Sequence, residues 1–356
     1  MQIFKKYVKI VLFFCIGGFL IFAANEAYTE STYAKLMFYE LYHQKNNIDL
    51  FFSGGSHTYR SFVPSVFDGE LGVNSFNLGT SSQTYEGGYF LLKEALNRNK
   101  PSTVIMEITY ASMENIENET KQADYILLDY MNNGANKYNY IKSAIIASGL
   151  ADAIIPCYRN RSTKNPIDAV KNLWNKWNSG YFIYEPIKNS RNGQLIEEYK
   201  EKGFVYSYQS FGESGLEVEP YPWKVENINS EKVAWLKKTT NLCKEKGIDV
   251  IWVTAPIPEV SVLKLGNYEE INLFIQQLAD ETGVEYYDFN YYKREYLPRK
   301  DRIYFYDSNH MNGIYAELFS HEMAKFLKQR KAGTFEEQKY FYSSYKEWEE
   351  NYTEQE

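Results

Sequence analysis

Two stretches of this chain alternate short apolar runs with amphipathic ones, and no other feature constrains the fold as strongly. In the first, strand-like runs at 47–53, 74–78 and 102–108 are separated by helical patterns that begin at Ser56 and span 84–98. The second places helical patterns at 230–246 and 268–282 ahead of strand-like runs at 249–254 and 284–289, and closes on a helix from Asn312 to Lys328. Strands alternating with helices in this way build a parallel sheet covered on both faces. In such a sheet ligands bind outside the carboxyl ends of the strands, so the loops that follow the apolar runs are where chemistry is expected.

Two of those loops carry complementary groups. In FFSGGSHTYR the run Ile48, Leu50, Phe51, Phe52 is closed by Gly54 and Gly55, which sets Ser56 on a strand-to-helix turn. In FYDSNHMNG, Asp307 and His310 stand three residues apart just before the last helix. A serine hydroxyl needs a base to take its proton and a third group to hold that base in the right tautomer. Ser56, His310 and Asp307 supply all three. The chain has four histidines, and His310 is the one beside a carboxylate in a loop of Asp, Ser and Asn. His43 and His321 lack partners at ligand spacing, so neither a metal site nor a cofactor is expected. His57 is expected to turn its ring away from the hydroxyl and to offer its backbone N–H. Arg60, one turn on, is expected to pair with Glu107. An α/β-hydrolase elbow is excluded, because it requires Gly-x-Ser-x-Gly and position 58 is threonine.

The order Ser, Asp, His, with the last two nearly adjacent, resembles the SGNH (GDSL-like) hydrolase superfamily over roughly residues 46–328. The resemblance implies an α/β, flavodoxin-like three-layer sandwich with a parallel sheet, here interrupted by a large, mostly helical insertion. It places the first block on Gly54, Gly55 and Ser56, with Gly55 where aspartate is usual, and the last on Asp307 and His310. The second block, a glycine whose N–H helps bind the oxyanion, falls on Gly79 in FNLGTSSQT. The third block departs from the pattern: the run Thr103–Ile108 continues into Thr109 and Tyr110 rather than a Gly-x-Asn. The side-chain donor is thus missing, and the backbone after Ser56, His57 above all, and the Thr80–Gln83 loop, including Ser82 and Gln83, are the candidate replacements. A similar loss is a property of the membrane-associated SGNH-like proteins of polysaccharide O-acetylation and teichoic-acid D-alanylation. The activity implied is that of a serine esterase or O-acyltransferase on a cell-surface polysaccharide or teichoic-acid-like polymer, with a membrane O-acyltransferase as its natural partner. The rival reading is a non-catalytic accessory or glycan-binding protein of a cell-envelope complex.

The N-terminus sets the compartment. Lys5, Lys6 and Lys9 precede an almost unbroken apolar run from Ile10 to Ala24. Positive charge on that side keeps the N-terminus in the cytoplasm and sends the rest across the membrane. Residues 1–27 therefore read as a signal-anchor or signal peptide. A retained single-pass anchor in the cell membrane is the leading expectation, with secretion following if the segment is cleaved. A formal net charge of -7 argues against nucleic acid as a partner, because no basic face is available to neutralise phosphates. Three cysteines do not make a disulfide framework.

The expected organisation beyond that segment is 28–109 and 230–330 as the two parts of the SGNH-like domain, separated by 110–229. That insertion, rich in Asn, Tyr and Lys, is expected to form a lid, a substrate groove or a structural cap. Trp174, Trp177, Tyr181 and Tyr184 are spaced to cluster as a stacking platform for sugar rings. The segment 331–356 reads as a solvated polar tail.

Overall fold

The computed structural model describes residues 2–30, 32–115, 120–145, 149–211, 220–221 and 223–352. Five short strands, β1 (Leu50–Ser53), β2 (Ser75–Asn77), β3 (Thr103–Glu107), β7 (Asp249–Thr254) and β8 (Glu285–Asp288), form one all-parallel sheet in the order β2-β1-β3-β7-β8. Their near-continuous apolar character follows from burial on both faces: Phe51, Phe52, Val104, Ile105, Ile251 and Val253 are fully buried. The main helices are α1 (Gln2–Tyr28), α2 (Tyr33–His43), α3 (Ser56–Ser61), α4 (Tyr85–Leu96), α5 (Pro166–Asn178), α6 (Ser230–Lys244), α7 (Tyr268–Thr282) and α8 (Gly313–Ala332). Right-handed crossovers put α4, α6 and α7 in one layer, where α6 packs on both neighbours, and α3 with α8 in the other. The α/β three-layer architecture expected from the alternation is the one observed.

The strand order places the topological switch between β1 and β3. The chain leaves β1 towards one edge, returns, and continues from β3 towards the other, which opens a crevice at their carboxyl ends. Ser56 begins α3 directly after β1, and Glu107 ends β3.

The insertion is more than helical. It also carries a three-stranded antiparallel sheet, β4 (Lys188–Arg191), β5 (Gln194–Glu201) and β6 (Phe204–Ser207). Both turns have two residues at positive φ, Asn192 (51°) with Gly193 (78°) and Lys202 (46°) with Gly203 (86°), as two-residue hairpin loops that follow strand twist require. The Asn-Gly pair was the available signal for the first of them. The tail also departs from expectation. Tyr340, Phe341 and Trp348 are buried, Phe341 bridges antiparallel to Tyr292 with Tyr342 N–H donating to Tyr291 O and Lys293 N–H to Tyr340 O, each at 2.8 Å, and Arg294 lies against the Trp348 ring, 5.5 Å from its centroid. Three large aromatics on an otherwise polar segment bury enough apolar surface to dock it.

Among the described residues one helix, α1, is long and apolar enough to cross a membrane. Its 27 residues span about 40 Å, against about 30 Å of bilayer hydrocarbon.

Candidate active site

The turn after β1 delivers Ser56 because two glycines precede it. Gly54 adopts φ 155°, and a Cβ there would meet Thr58 Oγ1 at 2.3 Å and Glu107 Cβ at 3.1 Å. Gly55 is different: a Cβ would meet nothing nearer than Gln83 N at 3.9 Å, so packing leaves room for a side chain at the position where the resembled pattern has aspartate.

The structure brings Ser56, His310 and Asp307 together across 254 residues of chain. Ser56 Oγ lies 2.7 Å from His310 Nε2. His310 Nδ1 lies 2.9 and 2.8 Å from the two oxygens of Asp307. An ionised carboxylate only accepts, so the proton belongs on Nδ1 and Nε2 is left to accept from the serine hydroxyl. Asp307 is itself fixed by its own loop, accepting the backbone N–H of Asn309 at 2.8 Å and of His310 at 2.7 Å. Burial alone would raise its carboxyl, but the His310 ring and these two N–H groups outweigh burial and hold it below the usual carboxylate range. Tyr306 stacks on the His310 ring, with centroids 5.6 Å apart and planes 15° apart.

Beside this set lies a second pair, a buried Glu107 and a half-buried His57 that also lines the cleft. The His57 ring is turned inward, its Nδ1 3.9 Å from Glu107 Oε1 and its centroid 4.9 Å from that of His310. Glu107 is approached by the Thr109 hydroxyl at 3.0 and 2.9 Å. Burial pushes Glu107 up to about 8, against the opposing hydrogen bonds from Thr109 and the Ala255 backbone. Burial, with help from neighbouring His310, pushes His57 down to about 3. At 3.9 Å the two are too far apart for a hydrogen bond, and both are neutral near pH 7. A charged ring beside His310 would oppose its taking a proton, so this neutrality serves the site.

The remaining expected donors fall differently. Gly79 N–H donates to Asn77 Oδ1 at 2.9 Å, and Gly79 lines a separate cavity. Its expected oxyanion role is corrected on that ground, since the N–H is already used. The Gln83 amide is likewise a strut, donating to Leu78 O at 2.9 Å and Thr80 Oγ1 at 3.0 Å. Ser82 sits exposed beside the cleft at φ 50°, a left-handed conformation uncommon outside glycine and often kept where function requires it. The backbone N–H groups of Ser56 and His57, the first two of α3, have no acceptor among the described residues. Arg60 pairs with Glu197 of β5 rather than with Glu107, because the hairpin sheet packs over α3, which the sequence did not reveal. The aromatic cluster does not form a platform. Tyr181 is buried with Lys35 Nζ 3.1 Å from its ring centroid, Tyr184 stacks on Tyr39, and Trp174 and Trp177 point outward.

A cleft of ≈ 680 Å³ opens over Ser56 and His310. Its walls are hydroxyl- and amide-rich: Ser81, Ser82, Thr84, Thr109, Ser112 and Gln122 all line it. Gln122, Ala123 and Ile126 belong to the insertion, which therefore forms part of the cleft. Among the described residues no group of three or more His, Cys, Asp or Glu side chains is arranged to hold a metal ion.

No protein-family model matches the chain, and no curated protein matches it significantly. Similar solved structures include a GDSL-like lipase from Bacteroides thetaiotaomicron VPI-5482, 11% identical over 85% of this chain and 100% of that one, with a TM-score of 0.38. The acetyl xylan esterase AlAXEase is 13% identical over 78% of this chain and 98% of its own, with a TM-score of 0.37. The acetyl xylan esterase Est2A from the rumen bacterium Butyrivibrio proteoclasticus is 11% identical, over 82% and 66%, with a TM-score of 0.32.

Proposed function

We propose that this protein is a serine esterase or O-acyltransferase of the SGNH type that works outside the cytoplasm on acyl esters of a cell-surface polysaccharide or teichoic-acid-like polymer. The observation that carries this reading is the continuous Ser56–His310–Asp307 hydrogen-bond chain, 2.7 Å at the serine and 2.8 Å at the aspartate. Ser56 Oγ attacks the acyl carbonyl carbon while its proton passes to His310 Nε2. The negative charge on the former carbonyl oxygen is met by the Ser56 and His57 N–H groups and by the Thr80–Gln83 turn, in place of Gly79. The intermediate collapses as His310 returns the proton to the departing alkoxide, leaving an acyl-serine and a free alcohol. A second hydroxyl, from water or from a sugar or polyol, then gives its proton to His310 and takes the acyl group, which restores Ser56.

The hydroxyl-rich cleft wall suits a hydroxylated substrate, and α1 holds the domain at a membrane surface where such polymers are handled. A membrane O-acyltransferase is the partner this arrangement fits. The test is p-nitrophenyl acetate turnover with acyl-enzyme burst, together with fluorophosphonate labelling, for wild type, Ser56→Ala and His310→Ala. A burst and label lost in both variants support the reading. No labelling of folded wild type would sink it and favour the accessory, glycan-binding role.

A further inference from the structure

Helix α5 turns an apolar stripe outward. Ile167, Val170, Trp174 and Trp177 recur at helical spacing on one face, and they are 69%, 66%, 67% and 73% exposed. Two polar residues, Lys176 and Asn172, turn inward, while Asp168, Lys171, Asn175 and Asn178 stay exposed. Lys176 is 1% exposed, and its Nζ reaches Glu26 O at 2.8 Å and Glu26 Oε2 at 3.1 Å. Asn172 Nδ2 donates to Ala27 O and Thr29 O, each at 2.9 Å. Lys176 and Asn172 thus satisfy carbonyls at the end of α1, which a helix terminus otherwise leaves bare, while the apolar stripe stays open, touched at its end by Phe182 against Trp177.

We infer that this outward face of α5 lies in the headgroup–acyl boundary of the same bilayer that α1 spans, so that the domain is held on the membrane by a second, interfacial contact. The proposal rests on the reading that α1 stays in the membrane. Continuity argues for lipid as the occupant. Phe22 of α1 meets Phe182 at 6.2 Å between ring centroids, and Phe182 meets Trp177 at 6.0 Å, so the apolar surface of the spanning helix runs without a break onto α5. Tryptophans at the end of a spanning segment sit at the membrane–water interface, and a helix with an apolar face of this kind buries it to about 5–10 Å depth. Two points of attachment fix the domain's orientation on the membrane as well as its distance from it.

The test uses the full chain in nanodiscs whose lipids carry bromine on the acyl chains near the headgroup, compared with unbrominated discs. Trp223, Trp252 and Trp348 are buried and Trp235 partly so, so bromine should quench Trp174 and Trp177 selectively. The expected result is a loss of tryptophan emission in brominated discs that disappears in the Trp174→Phe/Trp177→Phe variant. Equal emission in both discs, with Trp174 and Trp177 open to aqueous iodide, would overturn the proposal by placing the face in water. Equal emission with iodide also excluded would overturn it in favour of a protein partner or a second copy. Co-elution with the discs reports separately on α1. A full chain that does not co-elute refutes the anchor, and this contact with it.

Discussion

Replacing Glu107 with glutamine should change how stability depends on pH, and the size of the change follows from the pairing of buried Glu107 with His57. In the folded protein Glu107 holds its proton up to about 8, whereas its ordinary value is 4.5. His57 stays neutral down to about 3, against an ordinary 6.5. Between those limits the folded pair carries one proton. The unfolded chain carries two on these groups below 4.5, one from 4.5 to 6.5, and none above. Stability rises with pH wherever the unfolded state holds more protons and falls where it holds fewer. The pair therefore contributes a rise below pH 4.5, a plateau to 6.5, and a fall from 6.5 to 8. At about 1.36 kcal/mol per pH unit, wild type should lose about 2 kcal/mol over those last 1.5 units through Glu107. Glu107→Gln cannot lose a proton, and it leaves His57, which is neutral in both states there. Urea unfolding of both proteins in detergent at pH 6.5, 7.25 and 8 gives the difference directly, with every other titrating group cancelling. Parallel curves for the two proteins would refute the assignment of Glu107 as a neutral buried acid.

Asp307→Asn should keep the fold and cut kcat by about 10⁴-fold through the wrong His310 tautomer, measured as p-nitrophenyl acetate turnover, and the loss should be larger than any change in KM. Gly54→Ala and Gly55→Ala should diverge: the first forces a Cβ onto Thr58 Oγ1 and should destabilise by about 1–3 kcal/mol with loss of labelling at Ser56, whereas the second, with 3.9 Å of clearance, should fold and label. Gly203→Ala places a Cβ 1.9 Å from Asn77 O at φ 86°, so it should lower the urea midpoint even though Gly203 lies outside the cleft.

The parts of this architecture that were legible in the sequence are those written in local periodicity. The strand-like runs at Phe51–Phe52, Val104–Ile105 and Ile251–Val253 are apolar because both faces of the sheet are covered, whereas the strand order came only with the structure. The Ser56 turn was legible through Gly54, and the Asp307–His310 loop through a spacing that lets one carboxylate hold both a backbone N–H and the ring. What stayed hidden depends on contacts between distant segments. Gly79 sits where an oxyanion donor would be sought, yet its N–H goes to Asn77, a partner that only the β2 geometry provides. Trp348 buries itself from within a polar tail, and no charge count anticipates that docking. Arg60 could be given a carboxylate from sequence, but choosing Glu197 over Glu107 requires knowing that the insertion folds back as a sheet over α3.

That choice gives the insertion a role beyond walling the cleft. β2 is an edge of the parallel sheet, and the β5–β6 turn covers it: Asn77 N–H donates to Lys202 O at 2.9 Å, which removes an open strand edge. From the same sheet, Glu197 reaches Arg60, on the helix that Ser56 begins. Arg60 is buried, and its Nε and Nη1 have no hydrogen-bond partner among the described residues, so Glu197 is the acceptor that offsets its desolvation. Glu197 is held in turn by Asn189 Nδ2 at 2.6 Å. Removing the carboxylate with Glu197→Ala leaves a buried guanidinium uncompensated, which costs about 3–5 kcal/mol, whereas an exposed ion pair would cost about 1 kcal/mol or less. Urea unfolding separates the two. If the pair also positions α3, acyl-enzyme formation should slow in the fraction that remains folded and recover in Glu197→Asp to the extent that stability does. A stability loss under 1 kcal/mol with unchanged acylation would mean that α3 is set by β1 and α8 alone, and that the insertion merely rests on it.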